Sequence, residues 1–314
     1  MTIARVSTFT GYQNASSDLL RAQARQFEAQ AQVSSGKRAN DLKGFGPDAD
    51  ILTAARTVQS RVTTFIDNAK TLASRLETQD LALSRTAEVV GSAREAVASS
   101  IAAGRAPTLM KELDSWFASA AQTMNMKHDG RHLFAGTQVD NKPVTIDNLD
   151  ALVALAPAGP VDAVFVNDNS PPMSRLDEST TAVSGFLASN IGTEFFEILR
   201  DIKVYHDDPL TGPLTGPLQP AQEQFLRDQL VRLDGAHRGA IQVTAENGLL
   251  QNRVQDALEA QEARSVTLDG FLGEVTDVDM AEAATRLQAA QAALQASAFA
   301  LQSMQKMSLL DLLR

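Results

Sequence analysis

Residues 51–101, ILTAARTVQSRVTTFIDNAKTLASRLETQDLALSRTAEVVGSAREAVASSI, decide the fold. Apolar or small residues recur every seven positions at Ala55, Val62, Ala69, Leu76, Leu83, Val90 and Val97, with Ile51, Val58, Phe65 and Leu72 as a companion set. A stripe of that period marks one helix carrying a coiled-coil-like seam. No proline interrupts it, and at about 1.5 Å per residue it runs on the order of 75 Å. A compact domain needs nothing so long. The spacing therefore predicts a mainly α protein built as an elongated antiparallel helical bundle.

Outward from this segment, Gly104 and Pro107 end the long helix and Thr108 is placed to cap a second one. The stripe Leu109, Leu113, Trp116, Phe117, Ala120 and Met124 faces a core until Gly130 stops it. Near residues 221–263, Leu226, Leu230, Leu233, Ala240, Val254 and Leu258 form a looser helical stripe suited to lie beside the long helix. Between the arms the composition changes, because nine of the eleven prolines fall between Pro143 and Pro220. There, β-favouring pieces at 143–146 and 161–166 alternate with turn formers at 167–172, which predicts a small β-rich inserted domain. A short helix near 194–205 and the turn-rich 210–217 then return the chain to the bundle. The expected division is an N-terminal assembly helix and loop (1–45), the first part of a helical rod (46–136), the insertion (137–192), a short helix and loop (193–220), the second part of the rod (221–270) and a C-terminal assembly helix (271–314).

The two ends carry heptads of their own. Met280, Leu287, Leu294 and Leu301 repeat every seven residues, with Ala283, Ala290, Ser297 and Met304 as the second position. Val6, Leu20 and Phe27 follow the same period near the start, with Ala24 and Ala31 nearby. The tail Ser308-Leu-Leu-Asp-Leu-Leu-Arg314 adds Leu309, Leu310, Leu312 and Leu313. Each end bears one net positive charge, so the overall −10 resides in the middle and the ends can approach copies of themselves without strong repulsion. Thin Ala and Gln seams bury little area within one chain. Packing between molecules is therefore expected to use Val6, Leu20, Phe27, Leu287, Leu294, Leu301, Met304 and the four final leucines, the alternative being that the two ends pair with each other.

Composition narrows the function. The acidic balance argues against a nucleic-acid partner, which needs clustered Lys and Arg. Without cysteine there is no disulfide framework, thiolate nucleophile or Cys-ligated zinc. The first residues lack the apolar core of a secretory signal peptide, and the uncharged stretch 287–305 is too rich in Gln to lie in lipid. No membrane partner is expected. His128 and His132 stand four apart, the spacing of a helical zinc pair, but Gly130 lies between them and no acidic third ligand is evident. His206-Asp-Asp208 precedes a Pro/Gly turn and reads as exposed loop chemistry. No catalytic, cofactor-binding or metal-ligating residue is expected, and the chain does not read as an enzyme.

Three stretches carry a resemblance: Gln32-Val-Ser-Ser-Gly-Lys-Arg38, Asp67-Asn-Ala69, and Glu274-Val-Thr-Asp-Val-Asp-Met-Ala281. Together with the amphipathic ends, they resemble the flagellin superfamily over about two thirds of the chain. Within it, Gly130-Arg-His-Leu-Phe-Ala-Gly-Thr137, Lys142-Pro-Val144 and the closing leucines are similar to the hook-associated branch that joins hook to filament. Residues 40–50, with their paired aspartates, depart from the family's usual pattern. The resemblance implies a structural subunit that self-assembles through its terminal helices and is exported unfolded by the flagellar type III apparatus. It further implies a C-terminal helix held by an export chaperone beforehand, a neighbouring hook-associated protein and flagellin as partners, and an extracellular location on the flagellum. A filament subunit is the runner-up, and a cytoplasmic coiled-coil adaptor is the reading from another class.

Overall fold

The computed structural model describes the backbone of residues 2–312 and the side chains of residues 10–304. Its elements are α1 (Thr2–Ser35), α2 (Ala49–Ala103), α3 (Leu109–Met124), β1 (Lys127–His128), β2 (Arg131–His132), α4 (Leu149–Leu155), β3 (Met173–Arg175), β4 (Thr181–Val183), α5 (Ala188–Asp207), α6 (Pro220–Thr276) and α7 (Met280–Leu312). Short 3₁₀ turns occupy Leu42–Asp48 and Asp162–Val164. The chain forms two compact units, one from Met1–Val62 with Ala263–Arg314 and the other from Thr63–Glu262.

The seam read from residues 51–101 is present on α2. Ala55, Val62, Ala69, Leu76, Leu83, Val90 and Val97 are all buried. The companion set holds at Leu72 but not at its start, where Ile51 is exposed and Leu52 is buried instead. The reason is local: Phe45, brought in by the 3₁₀ turn, packs with Leu52, Ala55 and Leu272 in a small cluster.

In the 63–262 unit, α2 and α6 lie antiparallel. Lys70 meets Glu262 at 3.2 Å, Gln79 meets Asn247 at 2.8 Å, and Arg94 pairs with Asp234, so α6 numbers fall as α2 numbers rise. Two apolar clusters fill this unit. The smaller joins Ala69, Leu72 and Leu76 of α2 to Leu250 and Val254 of α6, with Leu176 and Ala182 from the β3–β4 hairpin. The larger adds Leu109, Leu113, Phe117 and Met124 of α3 and Phe195, Phe196, Leu199 and Ile202 of α5. Phe196 is its centre, with the rings of Phe117 at 4.6 Å, Phe165 at 5.4 Å and Phe195 at 6.2 Å. Aromatic rings at such offset separations add to what their area alone contributes.

Several local expectations are corrected. Thr108 occupies the N-cap position of α3 without a side-chain capping bond, its hydroxyl donating to Glu112 at 2.7 Å instead. Helix α3 ends at Met124, and Gly130 lies six residues on in the tight β1–β2 turn, where Asp129 and Gly130 both take positive φ. The inserted segment holds less strand than its composition suggests. Residues 143–146 and 161–166 meet through the single bridge Val144–Phe165, while Asn148 caps the helix α4 by accepting from Ala151 N at 2.8 Å. Prolines at 143, 157 and 160 remove ladder donors, and Asn and Asp supply local caps that compete with strand pairing. The regular pairing is confined to β3–β4, three residues a side.

The 210–217 segment is partly a surface loop. Leu210 is 94% exposed, but Leu214 is buried in the larger cluster. Its backbone N–H donates to His206 Nδ1 at 3.0 Å, so this histidine anchors the turn rather than lining a reaction centre.

Truncating Phe196 to Ala should leave a cavity at the centre of the larger cluster and lower the unfolding free energy by about 3–5 kcal/mol. Urea denaturation followed by circular dichroism would measure this, and a loss below about 1 kcal/mol would contradict the placement of that core.

Candidate functional site

The terminal helices pair with each other. Near the base of the pair, Val278 N donates to Gly36 O at 3.0 Å, and toward the far end Gly11 lies against Met304, so α1 and α7 run antiparallel. On α7 the face carrying Ala283, Leu287, Ala290, Leu294, Ser297, Leu301 and Met304 is partly or fully buried, as the heptad of the sequence expects, but its first member, Met280, is exposed. On α1 the buried or half-buried positions include Ala15, Leu19, Ala22, Gln26 and Ala29, with the heptad Ala15, Ala22, Ala29 two positions on from the expected one.

Leu20 and Phe27 therefore do not enter this seam. They are 63% and 70% exposed, and Phe299 of α7 is 71% exposed. Alanine at the contact lets two helices approach closely, whereas a phenylalanine there would hold them apart. The expected surface thus divides in two. Leu287, Leu294, Leu301 and Met304 are engaged with α1, while Leu20 and Phe27 point outward with Phe299, a residue the sequence reading did not single out. Val6, Leu309, Leu310, Leu312 and Leu313 lie outside the residues whose side chains are described.

The base of the pair is tied by two of the three stretches that carried the resemblance, 32–38 and 274–281. Helix α1 ends on Gly36, whose φ of +69° is the left-handed conformation that glycine adopts most readily after a helix. Arg38 N then donates to Thr276 O at 2.7 Å, and Lys37 Nζ lies 2.5 Å from Asp277 Oδ1 and 3.3 Å from Thr276 Oγ1. Arg38 adds a bond to Val275 O at 3.2 Å and an ion pair with Asp48 at 3.6 Å. Asp279 starts α7, its carboxylate accepting from Ala281 N at 2.8 Å and Glu282 N at 3.3 Å. The Lys37 ammonium and the Thr276 hydroxyl, both donating to Asp277, hold its carboxyl below the usual carboxylate range. A crevice of about 470 Å³ beside this tie mixes Lys37, Arg56, Asp269 and Asp277 with Phe45 and Leu272.

Residues 130–137, which carried the likeness within the family, organise the insertion. Leu133, Phe134 and Ala135 are buried. Gly136 has φ of +70°, and a Cβ there would fall 1.9 Å from Asp168 Oδ1. Asp168 clamps the turn by accepting from Thr137 N at 3.1 Å and from the Thr137 hydroxyl, and the same bonds depress its pKa. No sequence signal pointed to Asp168, because its partner is 31 residues away.

The histidines have structural partners. His132 Nδ1 lies 2.9 Å from the Asn125 carbonyl, which fixes the proton on that nitrogen, and burial lowers its pKa. His128 Nδ1 sits 2.9 Å from Thr78 Oγ1. Among the described residues no group of three or more His, Asp or Glu is placed to hold a metal ion, and no helix is long and apolar enough to cross a membrane.

A depressed carboxyl contributes stability that is present above its unfolded pKa and lost as pH falls through its folded pKa. The Lys37–Asp277 tie should accordingly weaken only in acid, below the ordinary value of 3.8. Replacing Lys37 with Ala should bring the Asp277 titration, followed by carboxyl-carbon NMR, back toward that value. An unmoved midpoint would mean that Lys37 does not set it.

Two family models match the chain: the bacterial flagellin N-terminal helical region over residues 6–139 and the bacterial flagellin C-terminal helical region over residues 230–313. No curated protein matches it. Among solved structures, a protein assigned as a flagellar hook-associated protein of Vibrio parahaemolyticus superposes with a TM-score of 0.58 at 15% identity, over 73% of this chain and 97% of its own. FlgL of Xanthomonas campestris gives 0.55 at 14% identity, covering 71% and 99%. FlgL of Bacillus cereus gives 0.52 at 13% identity, covering 70% and 98%. These likenesses concern the fold. The paired termini, the tie at their base and the two helical-region matches, which together span about two thirds of the sequence, place this chain in the bacterial flagellin family of structural flagellar proteins.

Proposed function

We propose that this protein is the subunit that joins hook to filament, assembling through its terminal helices outside the cell after type III export. The observation that carries the reading is the outward apolar surface of the α1–α7 pair. Leu20, Phe27 and Phe299 remain largely exposed although the inner faces of the two helices are already matched to one another. Apolar surface left over after internal pairing is available for association, at roughly 25 cal/mol per Å² removed from water. The likeness in fold to two FlgL proteins and to a hook-associated protein supports the junction over the filament. In this reading its neighbours are another hook-associated protein on one side and flagellin on the other.

Pairing of α7 with α1 bears on the proposed chaperone step. Leu287, Leu294, Leu301 and Met304 face α1 in the folded chain, so a chaperone groove holding α7 by those side chains must compete with α1. Chaperone binding and folding of the terminal pair are then mutually exclusive, which suits a chain exported unfolded.

Two measurements test this function. Hooks from a strain lacking the protein should be bare in electron micrographs, with flagellin lost to the medium; normal hooks carrying altered filaments would make it a filament subunit instead. In the second, Leu20→Glu with Phe27→Glu should leave the melting temperature within about 2 °C, since exposed substitutions typically change stability by no more than about 0.5 kcal/mol. The same variant should fail to restore filaments in the deletion strain. Restored filaments would remove those two side chains from the assembly surface.

A further inference from the structure

Two interruptions in two separate heptads coincide. On α2 the series Val58, Phe65, Leu72 is broken at the next step by Gln79. On α6 the series Leu226, Leu233, Ala240 is broken by Asn247 before Val254 resumes it. Both interrupting amides are fully buried, and Gln79 Nε2 donates to Asn247 Oδ1 at 2.8 Å. Asn247 Nδ2 in turn donates to Leu76 O and to Asp80 Oδ1, each at 3.2 Å, and Gln251 Nε2 donates to Leu76 O at 3.0 Å. The Leu76 carbonyl and the Asp80 carboxylate can only accept, so they settle which end of the Asn247 amide faces Gln79. This polar layer lies between the cluster containing Leu72, Leu250 and Val254 and the one containing Leu83, Val90 and Leu233.

We propose that the Gln79–Asn247 layer is a register lock, selecting one stagger of α2 against α6 among several that the apolar seams would otherwise permit. Small and medium apolar side chains repeating every seven residues pack almost as well after a slip of seven, whereas a buried amide must find its partner. In the antiparallel pair a slip of one heptad sets Gln79 opposite Ala240 or Val254. Asn247 then faces Leu72 or Thr86, whose hydroxyl is already donated to Ala82 O. A slip of two heptads can bring Gln79 to Gln261 but leaves Asn247 facing Ala93. The observed stagger is the one that joins the two amides, through Gln79 Nε2, although Gln79 Oε1 is buried without a partner.

The pair Lys70–Glu262, 3.2 Å apart, supplies a reporter made of native residues, since carbodiimide couples an ammonium to a carboxylate only when they touch. In Gln79→Leu/Asn247→Leu, the yield of the Lys70–Glu262 product, read by peptide mass spectrometry, should fall at least several-fold. New products joining Lys70 to carboxylates about a heptad away, such as Asp256 or Asp269, should appear. Helix content should persist, with a melting temperature no more than a few degrees below that of the wild type, because a matched amide pair is being exchanged for apolar groups. An unchanged cross-link pattern would overturn the lock. A melt lowered by more than about 10 °C would also overturn it, by showing that the layer supplies stability rather than register. The near-isosteric Asn247→Asp provides a second reading. It turns the two donations, to Leu76 O and Asp80, into repulsions, so the Lys70–Glu262 yield should drop at neutral pH. Full retention of that yield would count against the layer as the determinant.

Discussion

The packing of the 63–262 unit depends on the apolar line along α2. That line recurs every seven residues from Ala55 to Val97, and all seven side chains are buried. A helix of 55 residues is not stable in water on propensity alone. Its face must be covered along its length, and burial of that face is the main source of its stability. In the 63–262 unit the cover comes from α6 throughout, joined by α3 and α5 in one stretch and by the β3–β4 hairpin in another. Elements without a periodicity of their own, such as the turn that buries Leu214, are held because they complete this cover.

The terminal helices obey the same physics with different material. Alanine at Ala22, Ala29 and Ala283 makes a narrow seam that brings α1 and α7 close together but buries little area. Such a pair depends more heavily on its end constraints. That explains why Gly36, Lys37, Arg38, Thr276, Asp277 and Asp279 gather at its base, each making a bond that fixes how the chain leaves α1 or enters α7. Two of the stretches that carried the resemblance supply these constraints, and their side chains hold backbone geometry.

The seam also leaves three large apolar side chains of the terminal helices facing solvent, Leu20, Phe27 and Phe299, which occupy outer faces. In the proposed assembly, association and internal pairing would draw on different residues of the same two helices, so the folded pair could form first and still present an apolar outer surface. Along α2 the seven seam residues from Ala55 to Val97 face inward, and facing amides of α2 and α6 interrupt the apolar packing at one level.

Much of this was legible in the residues themselves. The mainly α class, the extent of α2, the core stripe of α3 and the α7 heptad follow from periodicity, because a repeat of 3.5–3.6 residues places those side chains on one face whatever lies opposite. Tertiary structure decided what periodicity leaves open. It set which of two α1 stripes on nearly opposite sides of the helix, Leu20–Phe27 or Ala22–Ala29, turns inward, since that depends on how closely the partner helix must approach. It confined the inserted strands to β3–β4, since pairing requires a partner with free donors and prolines remove them. It also joined Thr137 to Asp168 and Gln79 to Asn247, contacts across 31 and 168 positions. A sequence pattern shows that a polar residue interrupts a seam, but only the packed structure shows whether a second interruption lies opposite to satisfy it.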